Sequence, residues 1–251
     1  MRPVRFATFN IRYDTPADGV RSWSNRKHRA RSAIRDLKPT VIGIQEARPN
    51  QYADLQNWFT EYSWLGTCRQ GDATGEHIVL GFNKRHCYCR DSGAFWLSET
   101  PGSPSIGWDG ARPRVATWAD LEIGDQLLTI INTHLDHVGK QARQNGAKLL
   151  TQYLKSQPNP TVLLGDLNAT PSEPTLEWFR DNKFECARER ARTVEGSAHT
   201  FHGFGDGPHE RIDYIFPSRK YTVYRAGAVD TEPPFPSDHN PVFADIKLPS
   251  S

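Results

Sequence analysis

The chain reads as an α/β protein whose sheets mix parallel and antiparallel strands, and three stretches carry that reading. VRFATFN (residues 4–10) and TVIGIQE (residues 40–46) are apolar, β-branched runs flanking a helical stretch, a β-α-β crossover that makes the two strands parallel. From Tyr62 to Thr133 the pattern becomes strand-like runs separated by turn residues, the mark of an antiparallel meander. TVLLGD and the terminal PVFADIKL return to short apolar strands.

Taken in order, the first strand ends on Asn10 and gives way to a polar loop, Asp14 to Gly19. Ser24 can cap a helix in which Ala30, Ala33, Ile34 and Leu37 recur at i, i+3, i+4 and i+7, with Pro39 just past its end. The second strand ends on Glu46, so Asn10 and Glu46 fall at one edge of the sheet. A short helix around Tyr52 to Phe59 leads into YSWLGTC, HIVLGFN, CYCRDSGAFWL, RVATWADLEI and QLLTIINTH. A second amphipathic helix, Gln141 to Leu154, presents Ala142, Gly146, Leu149, Leu150 and Tyr153 on one side and is closed by Pro158 and Pro160. A third begins at Ser172, with Pro174 in its first turn and Leu176 and Phe179 turned inward. RIDYIF, YTVYRAGAV and PVFADIKL supply the last strands, and no repeat or linker divides the chain, so residues 1–251 are expected to form one domain.

Composition excludes little. At 251 residues, 37% hydrophobic and 24% charged, the chain can bury a sizeable core. A formal net charge of +2 does not declare a nucleic-acid binder, so any attraction to phosphates must be local. Arg26, Lys27, Arg29, Arg31 and Arg35 cluster on the first helix and read as its solvated face. Cys68, Cys87, Cys89 and Cys186 lack metal-type spacing and read as incidental. MRPVRFATFN has no charged-then-apolar leader and no run approaches the roughly 18 apolar residues of a membrane span. A cytoplasmic protein is expected, or a secreted one whose signal has been removed.

Function becomes legible when polar residues are set on this frame. Four apolar runs end in a residue able to bind metal or phosphate: Asn10, Glu46, His134 and Asp166. Asp213 and the pair Asp238-His239 open strands, and the start of one antiparallel strand abuts the end of its neighbour, so all can meet at one edge. Polar residues normally mark strand ends, which accounts for one or two such placements and poorly for six. Asp-His followed by Asn-Pro is otherwise ordinary turn chemistry. The grouping suits metal-assisted attack on phosphorus. Mg²⁺ is a hard ion that takes one or two carboxylates plus phosphate oxygens, and Glu46 is its best ligand here; no His or Cys grouping favours zinc. Asp166 and Asn168, two residues apart in GDLN, offer an acceptor and a donor for the attacking water. His134 and His239 can donate to phosphate oxygens or exchange protons.

TFNIR, IQE, NTHLDH, GDLNATP, RIDYIF and SDHNPV, in this order from Asn10 to Val242, resemble the endonuclease/exonuclease/phosphatase superfamily. Each motif alone is weak and the ordered set is strong. The resemblance implies a four-layer α/β/β/α sandwich, two mixed sheets with outer helices and a site at the top. It also implies Asn10 and Glu46 at a Mg²⁺ ion that Mn²⁺ could replace, with Asp238 as a second carboxylate. Asp166 and Asn168 would orient water and phosphate, and His239, held by Asp213, would face the phosphate. NTHLDH, centred on His134, looks more like the phosphatase, sphingomyelinase and deadenylase branches than the abasic-site endonucleases. Arg12 matches the deoxyribonuclease I pattern, and Glu76 matches the carboxylate that pairs there with the histidine at the position of His134. Arg114, opening RPRVATW, is a further candidate for substrate binding. Trp23 and Trp108 are expected in loops near the site, residues 69–77 and 99–112 at its rim. The expected substrate is a phosphodiester, with nucleic acid as a candidate partner and a monomer as the working unit. A phosphorylated sugar, an inositol or a lipid head group is the alternative, and a non-catalytic phosphate- or nucleic-acid-binding module is a third reading.

Overall fold

The computed structural model describes residues 3–248. The chain begins with β1 (Val4–Asn10), α1 (Trp23–Leu37) and β2 (Val41–Ala47), and β2 pairs parallel to β1 as the crossover requires. The cap of α1 lies two residues before the expected Ser24. Ser22 occupies the cap position without a side-chain bond, and the N–H of Trp23 is taken by Asp14 Oδ1 at 3.3 Å. α2 (Pro49–Trp58) uses its proline at N1, where the missing N–H costs nothing.

The expected meander is divided between two sheets. β3 (Tyr62–Cys68) and β4 (His77–Asn83) join β1 and β2, whereas β5 (Cys87–Trp96), β6 (Val115–Ile123) and β7 (Gln126–His134) found a second sheet. α3 (Lys140–Ser156) crosses over to β8 (Thr161–Asp166), parallel to β7, and α4 (Pro174–Asp181) follows. Two small elements had no periodic signal to announce them: α5 (Ala187–Arg190) and β9 (Thr193–Gly196). β10 (Asp213–Pro217), β11 (Thr222–Ala228) and β12 (Val242–Lys247) complete sheets of order β3-β4-β2-β1-β12-β11-β9 and β10-β8-β7-β6-β5. Both sheets are mixed.

Strand alternation sorts the apolar residues into three cores. Phe6, Val41, Leu80, Leu121, Ile130, Val162, Leu164 and Ile246 fill the space between the sheets. Ala7, Phe9, Ile42 and Ile44, on the other face of the first sheet, pack against Ala30, Ile34 and Leu37 of α1 and Leu55 of α2. Ile131, Leu163 and Phe216, on the far face of the second, pack against Leu150 and Leu154 of α3 and Phe179 of α4. Helix, sheet, sheet and helix therefore form four layers, as the resemblance implied. The expected inward face of α3 shifts: Ala147 and Leu154 are buried and Leu149 only half so, while Gly146 lets the helix approach Leu135. All four cysteines are free thiols.

Candidate active site

The site is the polar end of the inter-sheet core. Along β1 the inward residues run Phe6, Thr8, Asn10; along β7 they run Ile130, Asn132, His134; along β8, Val162, Leu164, Asp166. Asp166 lies opposite His134 on parallel β7 and opposite Asp213 on antiparallel β10, so three of the expected residues stand in one row. Just beneath is a fully buried amide relay. Gln45 Nε2 donates to Thr8 Oγ1 at 2.9 Å and to Asn132 Oδ1 at 2.7 Å, and Asn132 Nδ2 donates across the sheets to the carbonyls of Ile44 and Val79. Gly43 makes room for it, since a Cβ there would lie 2.6 Å from Asn132 Oδ1.

Glu46 is aimed by a defect in its strand. The β2–β4 register shifts between Ile44 and Ala47, and Glu46 has φ 65°, a left-handed backbone a non-glycine residue adopts only under constraint. Arg12 (φ 52°) and Asn168 (φ 46°) share this conformation beside the same cavity. Glu46 accepts from Asn10 Nδ2 at 3.0 Å and from the N–H of Tyr13 at 2.9 Å. Asn10 Nδ2 also donates to Asp166 Oδ2 at 2.9 Å, while its Oδ1 accepts the Arg12 N–H. That backbone donor fixes the orientation of the amide. Asn10 thus joins two carboxylates through one amide nitrogen.

Asp238 faces the same cavity from the other side, with Ser237 Oγ at 3.2 Å and the Arg12 guanidinium at 3.9 Å. Burial pushes its carboxyl up; His239 and Arg12 oppose that rise and the charge of Glu46 adds to it. Two mutually repelling carboxylates at the floor of a polar cavity are a hard-oxygen donor set, and a divalent cation between them would relieve the repulsion.

Asp213 Oδ2 lies 2.9 Å from His239 Nδ1, and His239 Nε2 is 3.9 Å from Asp166 Oδ2. Burial alone would lower the pKa of His239, but Asp213, by charge and hydrogen bond, with Asp166 and Asp238, raises it to about 10. Burial and the nearby Asp213 push Asp166 up to about 7. Asp166, Asp213 and His239 bring ligand-type atoms within 4.8 Å of one another, a second conceivable cation site. The imidazolium already supplies the positive charge there, so the Glu46–Asp238 side is the better match to a metal.

His134 is the opposite case. Burial, then Arg114, His239 and Arg69, hold its pKa well below the ordinary value. Neutral, it accepts at Nε2 from Asn168 Nδ2 at 2.8 Å, and that amide also donates to Leu135 O. The two histidines are thus driven to different protonation states by their surroundings. Glu76 lines the cavity but bonds Arg69 at 2.7 Å rather than pairing with His134. Arg114, buried, donates to Asp136 Oδ2 and to His137 Nδ1 at 2.9 Å.

These groups surround a cavity of about 560 Å³. Arg48, Arg69, Arg112, Tyr13, His137, Phe201 and Glu210 line it as well, and Phe201 packs on the His239 ring at 4.9 Å. Arg69 and Arg112 among these lay in the stretches the sequence marked as rim. Arg48, directly after the IQEA strand end and before a helix-starting proline, carried a positional signal; the others sit on loops without one. Trp23 is not a loop aromatic: it opens α1, is buried and donates to Asp54. Arg26 is not solvated either, for it is 2% exposed and donates to the carbonyls of Ile11, Arg12, Arg21 and Pro236, tying the loops behind the site together.

A profile of the Endonuclease/Exonuclease/phosphatase family matches residues 7–239. The chain belongs to this family. Among similar structures, an endonuclease/exonuclease/phosphatase from Bacteroides vulgatus is 36% identical with a TM-score of 0.95, covering 99% of this chain and 100% of that one. A mannosyl-6-phosphatase from Bacteroides thetaiotaomicron is 26% identical with a TM-score of 0.92, covering 98% and 100%. Exodeoxyribonuclease III of Haemophilus influenzae is 26% identical over 97% of this chain and 100% of its own. The endonuclease/exonuclease/phosphatase family thus includes nucleases and phosphatases that act on phosphate esters, and it is typically dependent on divalent metal. No described helix is long and apolar enough to cross a membrane.

Proposed function

We propose that the chain is a divalent-metal-dependent phosphoesterase that hydrolyses a phosphate ester by attack of water on phosphorus, with a phosphorylated small molecule as substrate. The observation that carries this reading is the meeting of Glu46, Asp238, Asp166 and His239 at one cavity of about 560 Å³, with His239 held from behind by Asp213. That volume is within the roughly 300–1,000 Å³ of small-molecule sites.

Glu46 and Asp238 would hold the cation, Mg²⁺ with Mn²⁺ as a substitute. Bound there, the cation supplies charge neutralisation at the phosphate oxygens. The chain's own residues do the rest. Asn10 keeps Glu46 and Asp166 within reach of one amide. Asp166, its carboxyl pushed up to about 7, is matched to accept a proton from water near neutral pH. His239, fixed by Asp213 and kept protonated, presents a charged donor where negative charge develops. Asn168 spends its amide hydrogens on neutral His134 and on Leu135 O, which fixes its side chain beside the cavity, and Arg12 and Arg114 contribute fixed positive charge to the walls.

The test compares phosphate release from sugar phosphates with cleavage of single- and double-stranded DNA, each with Mg²⁺ and with EDTA. Metal-dependent release from the small esters is expected. Cleavage of DNA alone would transfer the reading to a nuclease. Binding of phosphate esters without turnover of any would leave a binding module.

A further inference from the structure

Glu46, Asp166 and Asp238 line the cavity together with Arg12 and His239, and four further guanidiniums line it too. Arg69, Arg112 and Arg114 feel one another's charge, and Arg48, Arg69 and Arg114 act on Glu76, so these four form an arginine wall. Among the described residues, that wall includes two ion-paired carboxylates, Glu76 on Arg69 at 2.7 Å and Asp136 on Arg114 at 3.3 Å. Arg48 and Arg112 make no ion pair with a described residue, so the four guanidiniums exceed their carboxylates by two positive charges. The Nε atoms of Arg48 and Arg69 are buried with no hydrogen-bond partner, an arrangement that costs free energy unless a ligand or solvent completes it.

A structural purpose accounts for part of this wall only. Arg48 lies over the Tyr13 ring at 5.4 Å, which places its stem and leaves its N–H groups free. Its backbone is anchored as well: Gln51 Oε1 accepts the N–H groups of Asp14 and Arg48, and Gln51 Nε2 donates to Arg12 O. Guanidinium forks match the planar oxygens of phosphate and carboxylate. The basic residues of α1, by contrast, are largely spent internally. Arg26 is buried, Lys27 pairs with Asp54, Arg29 bonds its own helix and Arg35 pairs with Asp36.

We propose that Arg48, Arg69, Arg112 and Arg114 form an anion subsite beside the hydrolytic groups, so that the substrate is a small phosphate ester carrying a second anionic group, a phosphate or a carboxylate. This rests on the reading of the cavity as a phosphate-ester site. One anion of the substrate would face Glu46 and Asp238, the carboxylates that would hold the cation, and the other would meet the guanidiniums. The arginines then act in substrate selection, and the acids and His239 act in hydrolysis.

The probe is a series of alkane α,ω-bisphosphonates and the matching alkyl monophosphonates, none of them hydrolysable, titrated calorimetrically at fixed free Mg²⁺. Wild-type protein is expected to bind the best-spaced bisphosphonate on the order of 10-fold more tightly than its monophosphonate, the effect of one added set of charge-assisted hydrogen bonds. In the double variant Arg48→Gln/Arg112→Gln, which breaks no ion pair, that ratio falls toward one. An unchanged melting temperature separates the loss from misfolding. A ratio near one in the wild type, or one preserved in the variant, overturns the subsite. The reading of the cavity as hydrolytic fails separately, if the wild type shows this ratio yet releases phosphate from no ester.

Discussion

On one wall of the cavity the chemistry stands on strand ends: Asn10 on β1, Glu46 on β2, His134 on β7, Asp166 on β8 and Asp213 on β10. On the other wall it stands on connections: Arg48 between β2 and α2, Arg69 and Glu76 between β3 and β4, and Arg112 and Arg114 between β5 and β6. Sheet register fixes the first wall to within a hydrogen bond, because a one-residue slip would turn every inward side chain outward. The second wall is held by local ion pairs and by Asp136, which accepts from the N–H groups of Ala111, Arg112, Val138 and Gly139. Five of the groups given to the reaction thus stand on the rigid scaffold, whereas Asp238 and His239, on the connection between β11 and β12, share with the arginines a place on loops.

The largest expected effect breaks the strand wall. Asp166→Asn should lower kcat/KM by about 10³-fold, within the roughly 10²–10⁴ that general-base catalysis contributes. An effect under tenfold would mean that Asp166 does not take the proton. Next, Arg26→Ala should destabilise the fold by about 3 kcal/mol, because four carbonyls lose a charged donor and several stay buried. Denaturant unfolding measures this, and a loss under about 1 kcal/mol would mean that water replaces the guanidinium.

Glu46→Gln sharpens the division of labour. It should weaken the apparent Mg²⁺ affinity by about 10–100-fold, the scale of losses at metal sites, while leaving the Asp213–His239 pair intact. Equal Mg²⁺ dependence of variant and wild type would move the cation elsewhere. The smallest effect belongs to the loop wall. Burial would raise Asp136, but bonds from Gly139 and Val138 and the charge of Arg114 hold it at about 2. A depressed carboxyl contributes stability that is complete above its unfolded pKa of about 4 and is lost as pH falls through about 2. Asp136→Asn should therefore cost about 1–2 kcal/mol at neutral pH, discounted for solvent screening, with the gap closing below pH 4. Melting curves from pH 2 to 7 check this; a pH-independent gap would assign the cost to packing.

The two walls were unequally legible in the sequence. An acid or amide directly after a buried apolar run is costly unless paired or metal-bound, so Asn10, Glu46 and Asp166 stood out. Asp213 followed because strand starts abut strand ends; His239, expected to open a strand as well, stands on the connection ahead of β12. The backbone that aims these residues did not show: nothing in IQEA reveals the bulge or the left-handed conformation of Glu46. Nor did the sequence tell which atom Asn10 turns to its neighbours, since that depends on the Arg12 N–H. The loop wall lacked any periodic signal, and its members became a group only through the fold. Arg26 shows the same limit in reverse, because a helical arginine among other basic residues looks solvated until the Pro236 segment closes over it.

In the proposed arrangement a cation belongs to the Glu46–Asp238 side of the cavity and an anion to the arginine side. Crystals grown with Mn²⁺ and inorganic phosphate test it most directly through anomalous scattering. The predicted result is a manganese peak at Glu46 and Asp238, with phosphate between it and the arginine wall. A peak held instead by Asp166, Asp213 and His239, with the arginine wall facing only solvent, would contradict it.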